Sequence, residues 1–577
     1  MSESQGSSRA RGMEKYFFRF SPADFKKIPG SPIAYWVSDL AMDSFSWKLR
    51  VDGSFELIQG MITGDNSKYV RFWHEVSQKD FSNFSGSRNY WVPYNKGGEA
   101  RKWYGNHDLV VDWRTGGDGF TRNRSTNSHL YFRAYASWSY LNSGSPAARY
   151  YPDGFLWDVH GSGAFPKSHG DEKKLVGLLC SKAGEYLLKV INPTMSFQVE
   201  NISALPWDIG RLPLIEGDNV SCAIKISKDD WDSYETSWDF TRPPLLRSTH
   251  CQYTLMASYQ TLRAHWREMT LEMQRLEQEN NRIFIDAYSL RDELTPEVPL
   301  SEITLTCNPN YRYGGDKTEE ELEAMLLADT MRELVSYAVG CMLGRYSLQK
   351  PGLILANQGE TLADYLAQVP QACFPADDDN VIPVLDGDWF ADDITLRFRQ
   401  FLRVAFGEAH YEENLAFIEQ ALNMKGKRNY SLRDYFLGEF YADHVKRYKK
   451  RPIYWLFSSP KGSFNALIYM HRYRPDTVSV VLKYLRDYRE KLATEKERQA
   501  SVSINPATSQ GEKTKALKEV DRLAKVLTEL NDYERDVLYP LATEQVQIDL
   551  DDGVKVNYLK FSTALKKIAG LDAKEED

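Results

Sequence analysis

The feature that most limits how this chain can fold is a change of style near residue 250, where the text becomes QTLRAHWREMTLEMQRLEQENNRIFIDAYSL. Leu262, Trp266, Met269, Met273, Leu276, Asn280, Ile283, Ala287 and Leu290 alternate steps of four and three, the seam of a helix that lies along another helix. A polar Asn280 within that seam is suited to fixing register. The run predicts a long packing or spacer helix dividing two regions of different habit.

From about residue 15 to 245 the text is short runs such as ELIQGMI, DLVVDW, GFLWDVHG, KLVGLLC, EYLLKVI, SFQVE and NVSCAIKI, broken by Gly, Pro, Asn and Asp turns. These read as strands. Beyond residue 315 helical patterns dominate, from TEEELEAMLLADTMRELVSYAVGCMLGRYSL to TVSVVLKYLRDYREKL. The stretch QASVSINPATSQGEKT lacks an apolar period and reads as a linker, followed by a last helix KALKEVDRLAKVLTELNDYERDVLYPLA.

The expected class is therefore α+β: a mostly β domain, a long connecting helix and a mainly helical C-terminal region. The expected boundaries are 1–14 disordered, 15–250 β-rich, 251–300 connecting helix, 301–498 helical, 499–514 flexible linker and 515–577 C-terminal helical segment. A chain of 577 residues is long enough for three or four separate cores. No internal repeat is visible.

Six cysteines at 180, 222, 251, 307, 341 and 373 show no CxxC pair or zinc spacing, which predicts reduced thiols in a cytoplasmic protein. The start has no signal-peptide core, and no segment has the roughly 18 uninterrupted apolar residues of a membrane span.

The search for a catalytic centre returns mostly decoys. CNPNY, Cys307 to Tyr311, approaches the Asn-Pro-Pro-Tyr signature of adenine-amino methyltransferases, but Asn310 replaces the second proline and no donor-binding unit flanks it. An Asn-Pro turn ahead of a helix is the better reading. HGSG at 160–163 reads as a β-turn, and DGDWFADD with Asp377 to Asp379 as acidic turns and a helix start. His107, His129, His160 and His169 form no metal-ligand spacing.

What remains is basic and aromatic, in a chain whose net charge of -8 makes local clustering informative. WVPYNKGGEARKWYG raises the choice between a glycine loop for a phosphate cofactor and a surface that reads a polymer. Lys68 and Arg71 lie beside Tyr69, Phe72 and Trp73; Lys96, Arg101 and Lys102 lie beside Tyr94, Trp103 and Tyr104; Arg114, Arg122 and Arg124 follow, with Arg149 further on. Much later, HVKRYKKRPIYW gathers Lys446, Arg447, Lys449, Lys450 and Arg451, and HRYRPD adds His471, Arg472 and Arg474. Singly each cluster suits a solvated face; together they point to a polyanion, with cations for phosphates and aromatic side chains for bases.

Several long segments then carry a resemblance: IPGSPIAYWVSD (28–39), GDNSKYVRFWHEV (64–76), PYNKGGEARKWYG (93–105), SYLNSGSPAARYYPDGFLWDVHGSGAFP (139–166) and NRIFIDAYSLRDELTPEVPLSEITLTCNPNYRYGGDKTEEEL (281–322). SYAVGCMLGRYSLQKPGL (336–353), HVKRYKKRPIYWLFSSPKGSFNALIYMHRY (444–473) and IDLDDGVKVNY (548–558) continue it in order. Together they resemble the PglX-type adenine-specific DNA methyltransferases of BREX phage-defence systems.

Members of that family are much longer, with the donor-binding loop and Asn-Pro-Pro-Tyr motif N-terminal to everything matched. The resemblance thus implies a C-terminal half: a DNA target-recognition domain, a connecting helix and a helical region that embraces DNA. No catalytic, cofactor-binding or metal residue carries over, and the chain alone is expected to be inactive. S-adenosylmethionine is expected in the catalytic half.

The implied partners are double-stranded DNA, a separately encoded methyltransferase half and other BREX components, with no membrane. The candidate DNA contacts are Lys68, Arg71, Lys96, Arg101, Lys102, Tyr104, Arg114, Arg149, Lys446, Arg447, Lys449, Lys450, Arg451 and Arg472. The alternatives are an assembly protein that docks other defence components through its helices, and a complete methyltransferase with an unrecognised donor site.

Overall fold

The computed structural model describes residues 21–81, 90–139, 147–168, 170–194, 196–208, 210 and 219–572. The 1–14 segment and His169 lie outside them. The fold mixes helix with three small sheets among the described residues.

Two four-stranded sheets form from residues 55–166. Strands β1 (Phe55–Ile58), β2 (Val70–Phe72), β3 (Trp91–Asn95) and β4 (Leu109–Asp112) are followed by β5 (Tyr135–Trp138), β6 (Ala148–Tyr151), β7 (Leu156–Trp157) and β8 (Gly163–Pro166). Their orders are β1-β8-β5-β6 and β2-β4-β3-β7, with β3 and β7 parallel and the other pairs antiparallel. Every residue of β3 and β5 is buried, so both faces of these strands pack against the interior.

After residue 170 the expectation of a β domain reaching 250 fails. KLVGLLC belongs to helix α1 (Asp171–Leu179), EYLLKVI to α2 (Lys182–Ile191) and NVSCAIKI to α3 (Asn219–Trp231). Apolar runs of this length fit either a buried strand or a buried helix, and local caps decide. Ser181 supplies one: its Oγ accepts the Gly184 N–H at 3.0 Å, starting α2.

The seam helix α4 spans Leu255–Ala287, capped by Thr254. Leu262, Trp266, Met273, Leu276 and Asn280 are buried on it. It is a packed central element, not a free spacer: Asn280 Nδ2 donates to the Gly177 carbonyl of α1 at 2.8 Å, and Arg263 pairs with Glu323 of the next long helix. That helix, α5 (Glu319–Met342), opens with a capping box between Thr318 and Glu321.

Helices α6 (Ile394–Phe406), α7 (Tyr411–Leu422) and α8 (Phe440–Arg447) follow, with strand β9 (Ile382–Pro383) before them. Strands β10 (Tyr454–Ser458) and β11 (Asn465–Tyr469) form a hairpin, and the sheet order is β10-β11-β9. Helices α9 (Thr477–Ile504) and α10 (Gln510–Tyr533) then pack on each other. The expected linker at 499–514 is mostly helix, and only 505–509 form the turn, because Ser509 and Glu512 build a capping box that starts α10. Those helix ends carry no apolar period because they lie in solvent.

One apolar core runs from Ile28 to Leu571 through both regions, so residue 250 is not a boundary in the packing. The C-terminal segment returns to the early sheets. Asp551 accepts from Trp91 Nε1 and Tyr90 Oη, each at 2.7 Å, and Val554 N–H donates to Glu75 at 2.8 Å.

Candidate nucleic-acid interface

The site starts from how α8 ends. Its last turn is closed by Lys450 N–H donating to the Val445 carbonyl at 2.8 Å and Arg451 N–H to Tyr448 at 2.7 Å. Lys449 and Lys450 both sit in the left-handed region, at φ 49° and 63°, where glycine is the usual occupant. Tyr448 is fully buried and anchors the turn.

This turn sorts the basic cluster into two sets. Arg447 and Arg451 turn inward, to Glu235 at 3.2 Å and Glu75 at 4.0 Å. Lys446, Lys449 and Lys450 are exposed and line a groove of about 990 Å³ together with Lys461, Arg522, Lys566 and Lys567. Among the described residues its only lining carboxylate is Asp386, against seven cations.

Arg522 pairs with Glu519 at 2.6 Å, and Lys449 pairs with Asp108. The other five lysines have no carboxylate partner among the described residues. Unpaired cations beside low-dielectric walls concentrate positive potential where an anion would lie. Trp389, Phe436, Tyr441 and Tyr488 supply apolar and aromatic wall between the charges.

The floor is stiff. Glu529 of α10 accepts from Ser459 Oγ at 2.6 Å, Lys461 N–H at 2.8 Å and Ser463 Oγ at 2.6 Å, locking the turn between β10 and β11. Burial alone would raise the Glu529 pKa, but these hydrogen bonds hold it below the usual carboxylate range. Lys461 is thereby presented from a fixed backbone.

The other expected contacts lie elsewhere. Arg101 is buried, with its guanidinium on Asp230 at 2.7 Å and on Thr306 Oγ1 at 2.9 Å. Lys102 is buried on Glu277 of α4 at 2.7 Å. Burial alone would lower the Lys102 pKa; the Glu277 carboxylate outweighs it and holds the ammonium above its ordinary value.

Arg149 is fully buried and donates to the Arg101 carbonyl at 2.9 Å and Ser139 Oγ at 3.1 Å. Tyr104 is buried beneath Lys228. Arg71 donates to the carbonyls of Ser67, Val70 and Asp551, and Arg472 to those of Leu343, Asp377 and Asp378. These six side chains hold the fold together and form no part of the groove.

Lys68 and Arg114 are exposed on the sheet region, Lys68 over the Tyr69 ring and Arg114 bound to Asp112 and Asp551. Lys96 lines a second cavity between the sheets and the helices. Lys461, Arg522, Lys566 and Lys567 were missed. The Lys566-Lys567 pair was the available signal, but more than a hundred residues separate it from the α8 cluster in the chain.

The CNPNY segment does not fit a flipped adenine. Asn308 is buried, caps the short helix Pro309–Tyr313, and commits its amide to the carbonyls of Leu300 at 2.7 Å and Ile303 at 2.9 Å. Tyr311 Oη is held on the Ala100 carbonyl at 2.9 Å. The Asn-Pro turn ahead of a helix is what the structure has, and no step of methyl transfer is routed through it.

Asp393 caps α6, as the acidic-turn reading expects. Asp377 is buried, and burial with the neighbouring Asp379 raises its pKa to about 7. No group of three His, Cys, Asp or Glu side chains among the described residues is placed to hold a metal ion, and no described helix is long and apolar enough to cross a membrane.

The chain mixes helix and sheet and carries a groove with five lysines that no carboxylate among the described residues pairs, and comparison with known proteins finds relatives named adenine-specific methyltransferases. No family model matches the chain. It is homologous to the adenine-specific methyltransferase BrxX of Escherichia coli O9:H4 (strain HS), with 36% identity over 95% of this chain and 46% of the relative. The adenine-specific methyltransferase PglX of Lacticaseibacillus casei (strain Zhang) is 33% identical over 96% of this chain and 46% of the relative. The chain spans about half the length of the curated relatives it matches.

Proposed function

We propose that this chain is the DNA-engaging, specificity-giving part of an adenine-specific methyltransferase of a BREX-type defence system. In this reading the α8 groove tracks the phosphates of double-stranded DNA, and the sheet region at residues 55–166 contributes target recognition. S-adenosylmethionine and methyl transfer belong to a catalytic segment corresponding to the other half of the relatives. The observation that carries the reading is the groove itself: seven cations facing one carboxylate in a chain of net charge -8.

The test is a duplex-DNA titration over a range of salt concentrations. The expected result is affinity that falls steeply with salt, because each neutralised phosphate releases counterion and contributes about 0.9 to the logarithmic slope. Replacing Lys450, Lys566 and Lys567 by Glu should weaken binding more than about tenfold and flatten the slope by about 2 to 3. Absence of binding at low salt, or identical titrations for the variant, would overturn it.

A second reading, a helical assembly component, is favoured by Ile504 and Leu517 near the tip of the α9–α10 hairpin, which are 79% and 55% exposed. Replacing both by Ser should abolish association with other defence proteins if that reading holds, and leave DNA affinity alone.

A further inference from the structure

The second cavity, about 680 Å³, lies between the sheets and the helices. Its volume falls in the range of small-ligand sites. Phe72, Trp231, Tyr234 and Trp266 line it, giving walls suited to a flat aromatic ring.

Most of its charges are already neutralised. Arg312 pairs with Asp329 and Glu333 at 3.1 and 2.9 Å, Arg332 with Asp329 and Asp443 at 2.8 and 3.2 Å, and Arg447 with Glu235. Among the described residues Lys96 and Lys446 line the cavity without a carboxylate partner, and Glu99 is the one lining carboxylate without a cation. The lining as a whole balances, six cations against six carboxylates, but the Lys96 and Lys446 ammoniums are the two cations there that no carboxylate among the described residues pairs, so they are the groups left to meet an anion.

Lys446 and Lys449 also line the basic groove, so groove and cavity share a wall. Lys449 feels the charges of Asp108 and Glu99, which brings the 96–99 turn close to α8. That turn is shaped by Gly97 and Gly98, at φ 79° and 107°, and by Asn106 Nδ2 donating to the carbonyls of Gly97 at 3.2 Å and Glu99 at 2.9 Å. A Cβ at Gly98 would meet the Asn106 amide at 2.8 Å.

A separate observation points to a ligand with both donors and acceptors. Trp231 Nε1, Tyr234 Oη, Glu235 Oε2 and Arg312 Nη1 are buried in lining residues without any protein hydrogen-bond partner. Buried polar atoms left unpaired are costly, and four gathered around one cavity call for partners.

We propose that this cavity binds a single nucleotide unit, with the base among Trp231, Tyr234 and Trp266 and the phosphate toward Lys96 and Lys446. Two sources share that chemistry: a free mononucleotide, or one nucleotide of a strand lying in the groove. The first stands without the DNA-binding reading; the second rests on it. The positive sulfonium of S-adenosylmethionine fits the lysine end poorly.

The test uses the full chain and 2-aminopurine fluorescence, with 2-aminopurine deoxyriboside 5′-monophosphate in one arm and a duplex carrying 2-aminopurine opposite an abasic site in the other. Saturable quenching of the mononucleotide assigns the cavity to free nucleotide, and quenching only in the duplex arm assigns it to a strand. Either supports the proposal.

Lys96→Glu, at a residue that lines the cavity and not the groove, should weaken the signal about tenfold, equivalent to about 1.4 kcal/mol. Thr236→Trp, which fills the cavity and lies outside both the groove and the 55–166 sheet region, should abolish it while keeping salt-dependent duplex affinity. No saturable quenching in either arm, wild-type titrations from both folded variants, or equal competition by S-adenosylmethionine would overturn the proposal. Loss of duplex affinity with the mononucleotide signal retained would sink the groove reading alone.

Discussion

The stretch 93–105 and the stretch 444–451 have nearly the same vocabulary, lysine and arginine beside tyrosine, yet they do opposite things. In the first, Arg101 and Lys102 are buried on Asp230 and Glu277, carboxylates brought from α3 and α4. In the second, a left-handed turn splits the cations, and Lys446 and Lys450 reach solvent with no carboxylate near enough to pair. A basic cluster stays in solvent only where the fold supplies no internal anion.

The sharpest way to break this comparison is to remove one buried cation. Lys102→Met should destabilise the protein by about 3–5 kcal/mol, because Glu277 is left buried and unpaired. Denaturant unfolding checks it, and Lys102→Met with Glu277→Leu should recover much of the loss.

A smaller effect is expected at Asp551, which joins the C-terminal segment to the sheets through Trp91 and Tyr90. Asp551→Ala should cost about 1–3 kcal/mol by leaving those donors unsatisfied. Limited proteolysis should also show earlier cleavage near residue 550.

Asp377 tests the buried acidic turn through pH. Its folded pKa is raised to about 7, above its unfolded value, so its protonated form favours the native state. That contribution is complete below about pH 4 and fades as pH rises through about 7. Asp377→Asn should therefore raise the thermal midpoint more at pH 8 than at pH 5; an equal shift at both would remove the titration from the account.

The smallest effect on stability should come from the groove. Replacing Lys450, Lys566 and Lys567 together by Gln should leave the thermal midpoint nearly unchanged while weakening DNA binding. A large loss of stability would erase the distinction between the two clusters.

Legibility in the sequence followed physical range. The α4 seam was readable because buried residues spaced three and four apart describe one face of one helix. The Asn308-Pro309 start and the Asp393 cap were readable because each acts within a few residues. The α1, α2 and α3 segments were misread as strands because apolar runs of seven or eight residues span only about two helical turns, too short to fix a period, even though Lys189 of α2 and Lys225 of α3 mark an exposed face. The 499–514 stretch was misread for the opposite reason: its helix ends are solvated and show no apolar period at all.

The groove was half legible. Lys446, Lys449 and Lys450 stood out as neighbours, whereas Lys461, Lys566 and Lys567 join them only through the β10–β11 turn and the chain end. The choice between a glycine loop and a polymer-reading surface at WVPYNKGGEARKWYG also resolved differently for each side chain. Trp91 binds Asp551, Arg101 and Lys102 are interior, and Gly97 and Gly98 shape the wall of the second cavity.

By itself the sequence determined the long seam helix, the caps that start α6 and the short Asn308-Pro309 helix, and the presence of cations in excess of their local acids. These are properties of residues within a few turns of one another. The tertiary structure alone decided which cations face solvent. The partners that bury Arg101 and Lys102 lie 129 and 175 residues away along the chain, and a charge is buried or free according to what the fold brings within a few ångströms.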